Sequence, residues 1–228
     1  MHVLLTLCLY RFSQVDQNLT ERHIHSRFNI SDTAYHYGNE AVIGKVLKEY
    51  FAGGKLKRED VFITTKLPYF AHAPEDVEKV VKMQLEALQV DYIDLYLIHG
   101  PVPFKREKDS FALVFENDMQ VPATIDHLDT WRAMEKLHDE GKLKALGLSN
   151  FNVKQLQNVY DHARIKPANL QNFLKTSIAD TLLNGDPLTD PVVKELAAKY
   201  KKTAAQILLR YIVQQDVVAI PKTVKPER

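Results

Sequence analysis

Four side chains in the first half of this 228-residue sequence are suited to proton transfer: Asp32, Tyr37, Lys66 and His99, spaced by five, 29 and 33 positions. A free tyrosine has a pKa of about 10, too high for proton donation at neutral pH, and an adjacent ammonium lowers it by stabilising the phenolate. Lys66 offers that ammonium, and Asp32 can hold it charged and oriented. His99 can donate a hydrogen bond to a carbonyl oxygen. The set contains no nucleophile awaiting a leaving group, and it fits protonation of an oxygen on which negative charge develops.

The elements that must position these residues follow a simple alternation. From residue 27 onward, short β-rich segments alternate with longer segments of 3.6-residue periodicity, which is the pattern of parallel strands joined by helices. The predicted strands are 27–31, 61–65, 92–98, 144–148, 168–171 and 217–220. The candidate residues follow the carboxyl ends of successive strands, and these ends converge on one face in a parallel α/β barrel. The sequence therefore predicts that they share one pocket.

Helix starts are marked by residues that cap or open a first turn. They are Pro74, Asn152, Asp190 and Thr203. The stripe on the last helix predicts a buried face. Its members are Ala204, Ile207, Leu208, Tyr211 and Ile212.

The segments around the four residues resemble signatures of the aldo-keto reductase superfamily. They read DTAYHYGNE at 32–40, ITTKL at 63–67 and LYLIH at 95–99. The resemblance implies a (β/α)8 TIM barrel that reduces aldehydes and ketones to alcohols, with NADPH giving the hydride and Tyr37 the proton. Each residue alone has an ordinary structural role, such as a cap, a boundary aromatic or a surface charge. Their joint spacing favours the catalytic interpretation.

Further segments resemble the cofactor-binding positions of that family. The segment GLSNFN at 147–152, with Ser149 and Asn150, and the later Gln171 resemble the residues that hydrogen-bond the nicotinamide carboxamide. The segment 220–228 resembles the one that binds the adenosine 2′-phosphate, through Lys222, Thr223 and Arg228. Two cations and a hydroxyl suit a phosphate ester, so we expect NADP rather than NAD.

The chain departs from the family pattern in three regions. We expect no counterpart of the first strand, with its Gly-Leu-Gly-Thr-type end, ahead of Asp32. The segment 172–184 replaces the elements that would follow Gln171, including the aromatic that stacks on the nicotinamide, and the terminal segment beyond Arg228 is expected to be absent. Six strands, one of them weak, stand where a closed barrel needs eight, which predicts exposed strand edges. The expected domains are an unassigned N-terminal extension, 1–26, and a single partial barrel, 27–228.

The wall of the substrate pocket also departs from the pattern. His99 is followed by Gly100, where many family members have tryptophan. Phe104, Phe111 and Phe115 lie in the long loop that follows, and they either line an apolar pocket or only anchor the loop.

Composition narrows the class of protein. The chain has 30 basic and 29 acidic residues, so no charged field gathers nucleic acid or a membrane surface. A single cysteine, Cys8, excludes a disulfide framework and a cysteine-built metal site, and no segment reaches the ~18 apolar residues of a membrane helix. We expect no bound metal, a cytoplasmic location, a small carbonyl compound as partner and a monomer that its strand edges make prone to association.

Two alternatives to an active reductase stay open. One is a catalytically inactive, truncated isoform, because the absent regions belong to the barrel core. The other is a non-catalytic cofactor-binding or scaffold protein, because the four residues persist while the segment that clasps the cofactor is missing.

Overall fold

The fold is α/β, built on a curled parallel sheet. The computed structural model describes residues 7–8, 30–171, 187–215 and 219. Six parallel strands of the described residues form the main sheet. In spatial order they are β1 (Leu7–Cys8), β2 (Ile30–Asp32), β3 (Phe62–Leu67), β4 (Ile93–Ile98), β7 (Leu143–Ser149) and β8 (Asn169–Gln171). Within the described residues the sheet is an incomplete barrel.

A small antiparallel hairpin lies in the loop after β4. Its strands are β5 (Phe115–Glu116) and β6 (Met119–Gln120). Asn117 and Asp118 form its turn with φ of 50° and 61°. Asparagine and aspartate tolerate this left-handed region better than most residues, so the turn chemistry matches the hairpin.

Helices connect the strands and flank the sheet. They are α1 (Glu40–Ala52), α2 (Pro74–Leu88), α3 (His127–Asp139), α4 (Val153–His162), α5 (Pro191–Tyr200) and α6 (Ala204–Gln214). The predicted helix starts are confirmed. Pro74 opens α2, and the side chains of Asn152, Asp190 and Thr203 accept hydrogen bonds from the first turns of α4, α5 and α6.

The core lies between β3, β4, β7 and helices α1 to α3. Strand β4 is nearly all apolar, as in strands that are buried on both faces, and Ile93, Tyr96, Leu97 and Ile98 have no exposed surface. Its register is fixed by pairing with both neighbours, with Lys66 of β3 opposite Leu97 and Leu148 of β7 opposite Ile98. Trp131 adds the largest buried side chain, and its indole N–H donates to the carbonyl of Ile165 at 3.0 Å.

Several predicted elements end differently in the structure. Of the predicted strand 27–31, residues 27–29 lie outside the described residues, and the described part of the strand, Ile30–Asp32, runs one residue further than predicted. Strand 217–220 also lies outside them, except for Ala219. The strand Leu7–Cys8 was not predicted, and it pairs with Ser31 and Asp32 at the sheet edge. The predicted domain boundary after residue 26 lies outside the described residues and stays a prediction.

The prediction of a buried face on the last helix is wrong for the described residues. Tyr211 is 43% exposed, and no residue of α6 is fully buried. The helix stays partly exposed because its main packing partners among the described residues are α5 and the Pro187–Thr189 turn, not the central sheet. Its apolar stripe is consequently only half-covered.

Candidate active site

A buried ion pair stands at the centre of the site. Asp32 ends β2 and Lys66 lies near the end of β3, on adjacent strands. The Lys66 Nζ lies 2.7 Å from Oδ1 of Asp32, and both side chains are only 1% exposed. The ammonium also donates to the carbonyl oxygen of Thr33 at 2.9 Å. The carboxylate and the carbonyl together hold a positive charge in a region from which water is excluded.

Tyr37 faces this charge. It ends a 3-10 turn, Tyr35–Tyr37, which Gly38 terminates at φ 66°. The left-handed region favours glycine, so Gly38 allows the chain to turn directly into α1. The Tyr37 side chain is 7% exposed, and the Lys66 Nζ lies 5.1 Å from the centre of its ring.

His99 completes the group at the end of β4. Its ring meets that of Tyr37 edge to face, with 5.8 Å between centroids and 83° between planes. Burial, then the charge of Lys66, then His36, lower the pKa of His99 to about 3, so its imidazole is neutral at physiological pH. Its Nδ1 is buried and has no hydrogen-bond partner among the described residues. The structure thus brings together all four residues that the spacing singled out.

Three polar residues form a rim beside this group. Ser149 ends β7 and is buried, and Asn150 follows it in a left-handed conformation with φ 62°. The Asn150 Nδ2 donates to the carbonyl of His99 at 2.8 Å and to the hydroxyl of Ser149 at 3.2 Å. Gln171, at the end of β8, donates from Nε2 to Oδ2 of Asp32 at 2.7 Å. The predicted carboxamide-binding residues therefore border the predicted catalytic residues.

The predicted phosphate-binding residues, Lys222, Thr223 and Arg228, lie outside the described residues. The segment 172–184 lies outside them as well. Their roles stay predictions.

A buried polar network behind the site was not predicted. Glu40, 6% exposed, accepts from the hydroxyl of Thr65 at 2.6 Å and from Nε2 of Gln84 at 2.8 Å. The Gln84 Oε1 accepts from the hydroxyl of Tyr96 at 2.6 Å, and its Nε2 also reaches the carbonyl of Lys66 at 3.3 Å. Burial raises the pKa of Glu40, although hydrogen bonds from Thr65 and Gln84 and the charge of Lys66 oppose the rise. The sequence signal that could have indicated this network is a polar residue on the buried face of each of two helices, Glu40 on α1 and Gln84 on α2.

The aromatic residues of the loop after His99 divide into two groups. Phe111 packs on Phe70 at 5.2 Å, which anchors the loop. Phe104 meets the ring of Tyr69 at 6.0 Å, next to the site. Phe115 is 57% exposed in the hairpin.

Two kinds of site are not found in the described part of the chain. Residues 30–171 and 187–215 contain no group of three histidine, cysteine or acidic side chains placed to hold a metal ion. None of the helices in the same ranges has the length and hydropathy that a membrane crossing requires.

Comparison with known proteins decides the family. The sequence model of the aldo/keto reductase family matches residues 18–180, which is more than half of the chain. The chain belongs to the aldo/keto reductase family. This family member is an oxidoreductase. The family match begins at residue 18, inside the extension 1–26 that the sequence left unassigned.

Relatives support the assignment. The aldo-keto reductase family 1 member A1 of Xenopus tropicalis is 40% identical over 226 residues, covering 86% of this chain and 69% of the relative. The protein of the same name from Gallus gallus is 41% identical, and that from Homo sapiens is 38% identical, over the same shares. The solved aldose reductase of Schistosoma japonicum superposes with a TM-score of 0.86 at 38% identity, covering 99% of this chain and 80% of that one.

The alignment lengths also show a difference between this aldo/keto reductase and its relatives inside the matched region. The alignment with the Xenopus protein runs over 226 positions but uses only 86% of this 228-residue chain. The relative therefore has residues, inside the matched region, for which this chain has no counterpart. This agrees with a deletion inside the matched region.

Proposed function

We propose that this chain reduces aldehydes and ketones to alcohols with NADPH, and that Tyr37 gives the proton to the carbonyl oxygen. The observation that carries the proposal is the buried ion pair of Lys66 and Asp32 beside the Tyr37 ring. The Lys66 Nζ lies 2.7 Å from Oδ1 of Asp32 and 5.1 Å from the centre of the phenol ring. A fully buried ammonium that faces a tyrosine stabilises the phenolate left after proton donation. An ion pair that only stabilised the fold would not require the Tyr37 phenol beside it.

Each residue has a distinct part in the proposed step. Tyr37 donates its hydroxyl proton as negative charge develops on the substrate oxygen. Lys66 holds the resulting phenolate, and Asp32 holds Lys66 charged and aimed at the ring. His99 donates a hydrogen bond that orients the carbonyl. Because burial lowers the pKa of His99 to about 3, this histidine is neutral and is not the proton donor at physiological pH.

The residues beside the site fit a nicotinamide cofactor. When bound, NADPH supplies the hydride. A carboxamide offers both an N–H donor and a carbonyl acceptor, and the rim offers the hydroxyl of Ser149 and the amides of Asn150 and Gln171 as matching groups. The Gln171 Nε2 already donates to Asp32, so its amide oxygen is the atom we assign to the carboxamide N–H. We assign Lys222, Thr223 and Arg228 to the 2′-phosphate, which favours NADPH over NADH.

We further propose a cytoplasmic location and a monomer that acts on a small carbonyl compound without nucleic acid. The single Cys8 supports a reducing compartment, and the balanced charge gives no field for a polyanion.

The test replaces one hydroxyl. Tyr37→Phe should lower kcat/KM for 4-nitrobenzaldehyde by about 10²- to 10⁴-fold, because only the proton donor is lost. NADPH oxidation is followed by absorbance and NADPH binding by fluorescence titration. Tyr35→Phe is the matched control, since it removes a hydroxyl from the same 3-10 turn and should keep most of the activity.

The outcomes separate the candidate functions. Undiminished turnover in Tyr37→Phe would contradict the role of Tyr37. Wild-type protein that binds NADPH without turnover would favour the non-catalytic cofactor-binding alternative, and wild-type protein that binds no NADPH would favour the inactive isoform.

A further inference from the structure

Tyr69 lies beside the proposed catalytic group. It lies just past the end of β3, three residues after Lys66, and its side chain is half-buried. Its backbone N–H donates to Nε2 of His36 at 3.4 Å, and its carbonyl accepts from the N–H of Phe104 at 2.8 Å. These two hydrogen bonds place the backbone of Tyr69 between the turn before α1 and the loop after β4.

The ring of Tyr69 packs directly on the ring of His99. The two centroids lie 5.1 Å apart with 22° between the planes, which is an offset stack. His36 stacks on Tyr69 at 5.3 Å and lies 5.7 Å from His99. The three nearly equal distances define a triangle of rings rather than a column.

Gly100 leaves the space that Tyr69 occupies. Gly100 is buried, and a Cβ added there would lie 2.5 Å from Cε1 and 3.1 Å from the hydroxyl oxygen of Tyr69. Carbon atoms in van der Waals contact lie about 3.5–4.0 Å apart, so a side chain at position 100 and this position of the Tyr69 ring exclude each other. The ring thus fills, from strand β3, the space that a side chain after His99 would fill from strand β4.

We infer that Tyr69 is the specificity-determining residue of this site, and that it forms an aromatic wall selecting aromatic aldehydes over small aliphatic ones. The inference rests on the proposed function, because the wall acts on a carbonyl held by His99. Phe104 meets Tyr69 edge to face at 6.0 Å and extends the same wall. An aromatic substrate gains a ring contact that an aliphatic one lacks, which corresponds to a preference of about three- to tenfold.

The test measures a ratio rather than an activity. The quantity is kcat/KM for 4-nitrobenzaldehyde divided by kcat/KM for propanal. Tyr69→Ala should lower this ratio about three- to tenfold, and Tyr69→Phe, which keeps the ring, should restore it. The double variant Tyr69→Ala/Gly100→Trp should also recover the ratio, because the indole enters the vacated space. Tyr160→Ala, an exposed tyrosine on α4, is the control and should leave the ratio as it is.

A second measurement tests the packing without any activity. Gly100→Ala should lower the thermal midpoint in the wild-type background and lower it much less in the Tyr69→Ala background, because the clash partner is then gone. Equal losses in both backgrounds, or an unchanged substrate ratio in Tyr69→Ala, would overturn the inference. Wild-type protein that oxidises no NADPH with either aldehyde counts against the proposed function instead, while the comparison of midpoints still decides whether Tyr69 fills this space.

Discussion

The side-chain amide of Gln171 donates from Nε2 to Oδ2 of Asp32 at 2.7 Å, although 139 positions separate the two residues. Asp32 ends β2 and Gln171 ends β8, and β3, β4 and β7 lie between these strands in the sheet. In a flat sheet the two strands would be about 19 Å apart, since neighbours lie about 4.8 Å apart. Two such side chains cannot bridge that distance. The hydrogen bond therefore requires the sheet to curl, and it ties the proposed cofactor rim to the ion pair.

This bond predicts a pH-dependent defect in Gln171→Glu. The variant sets a second carboxylate against Asp32, and the two like charges should lower the free energy of unfolding by about 1–3 kcal/mol at pH 7. The folded variant binds a proton to relieve the repulsion more readily than the unfolded chain, so the defect should shrink as the pH falls to 5. Urea unfolding of variant and wild type at both pH values measures it.

The neutral control for this prediction is Gln171→Leu. It removes the hydrogen bond without adding charge, so its defect should be similar at pH 7 and pH 5. A Gln171→Glu defect that stays constant between the two pH values would contradict the proximity of these side chains in solution.

The central strands and the catalytic group were predictable, because their determinants are local. Strand β4 is apolar except for Asp94, close to what is expected for a strand buried on both faces, and its predicted range 92–98 contains the observed Ile93–Ile98. Asp32, Tyr37, Lys66 and His99 come together because each lies near, or shortly after, the carboxyl end of a parallel strand. The carboxyl ends of such strands meet at one edge, so the order of elements was enough to bring them together.

Pairwise packing was not predictable. Tyr69 and Gly100 are 31 positions apart, and nothing in either segment indicates that the ring of one fills the space left by the other. Glu40 and Gln84 are 44 positions apart, on different helices, and their contact depends on how α1 and α2 pack. The short strand Leu7–Cys8 was missed because two residues are too few to show a periodicity. The structure identifies it as a strand through its pairing with β2.

The network behind the site predicts different effects for two substitutions of Glu40. Glu40→Leu leaves the buried Thr65 hydroxyl without its acceptor and the Gln84 Nε2 without its shortest hydrogen bond, which should lower the free energy of unfolding by about 2–4 kcal/mol. Glu40→Gln retains an acceptor oxygen and should lower it by less than half as much. Chemical denaturation measures both, and equal losses would contradict a hydrogen-bonding role for this carboxyl.

Buried histidines predict a loss of stability in acid. Both ring nitrogens of His72 are buried without a hydrogen-bond partner among the described residues, and burial, followed by His127, lowers the pKa of His72 from 6.5 to about 3. Between these pH values the unfolded chain binds a proton that the folded chain does not, so stability falls as the pH falls from 6.5 toward 3. His72→Leu removes this linkage and should make the free energy of unfolding less steep with pH, by about 2 kcal/mol between pH 6 and pH 4. His162→Leu, at an exposed position on α4, is the control and should leave the pH dependence of the free energy of unfolding as in the wild type. Part of that wild-type pH dependence comes from His99, whose pKa is also lowered to about 3. A slope in His72→Leu as steep as in the wild type would mean that this imidazole takes up its proton in the folded state as easily as in water.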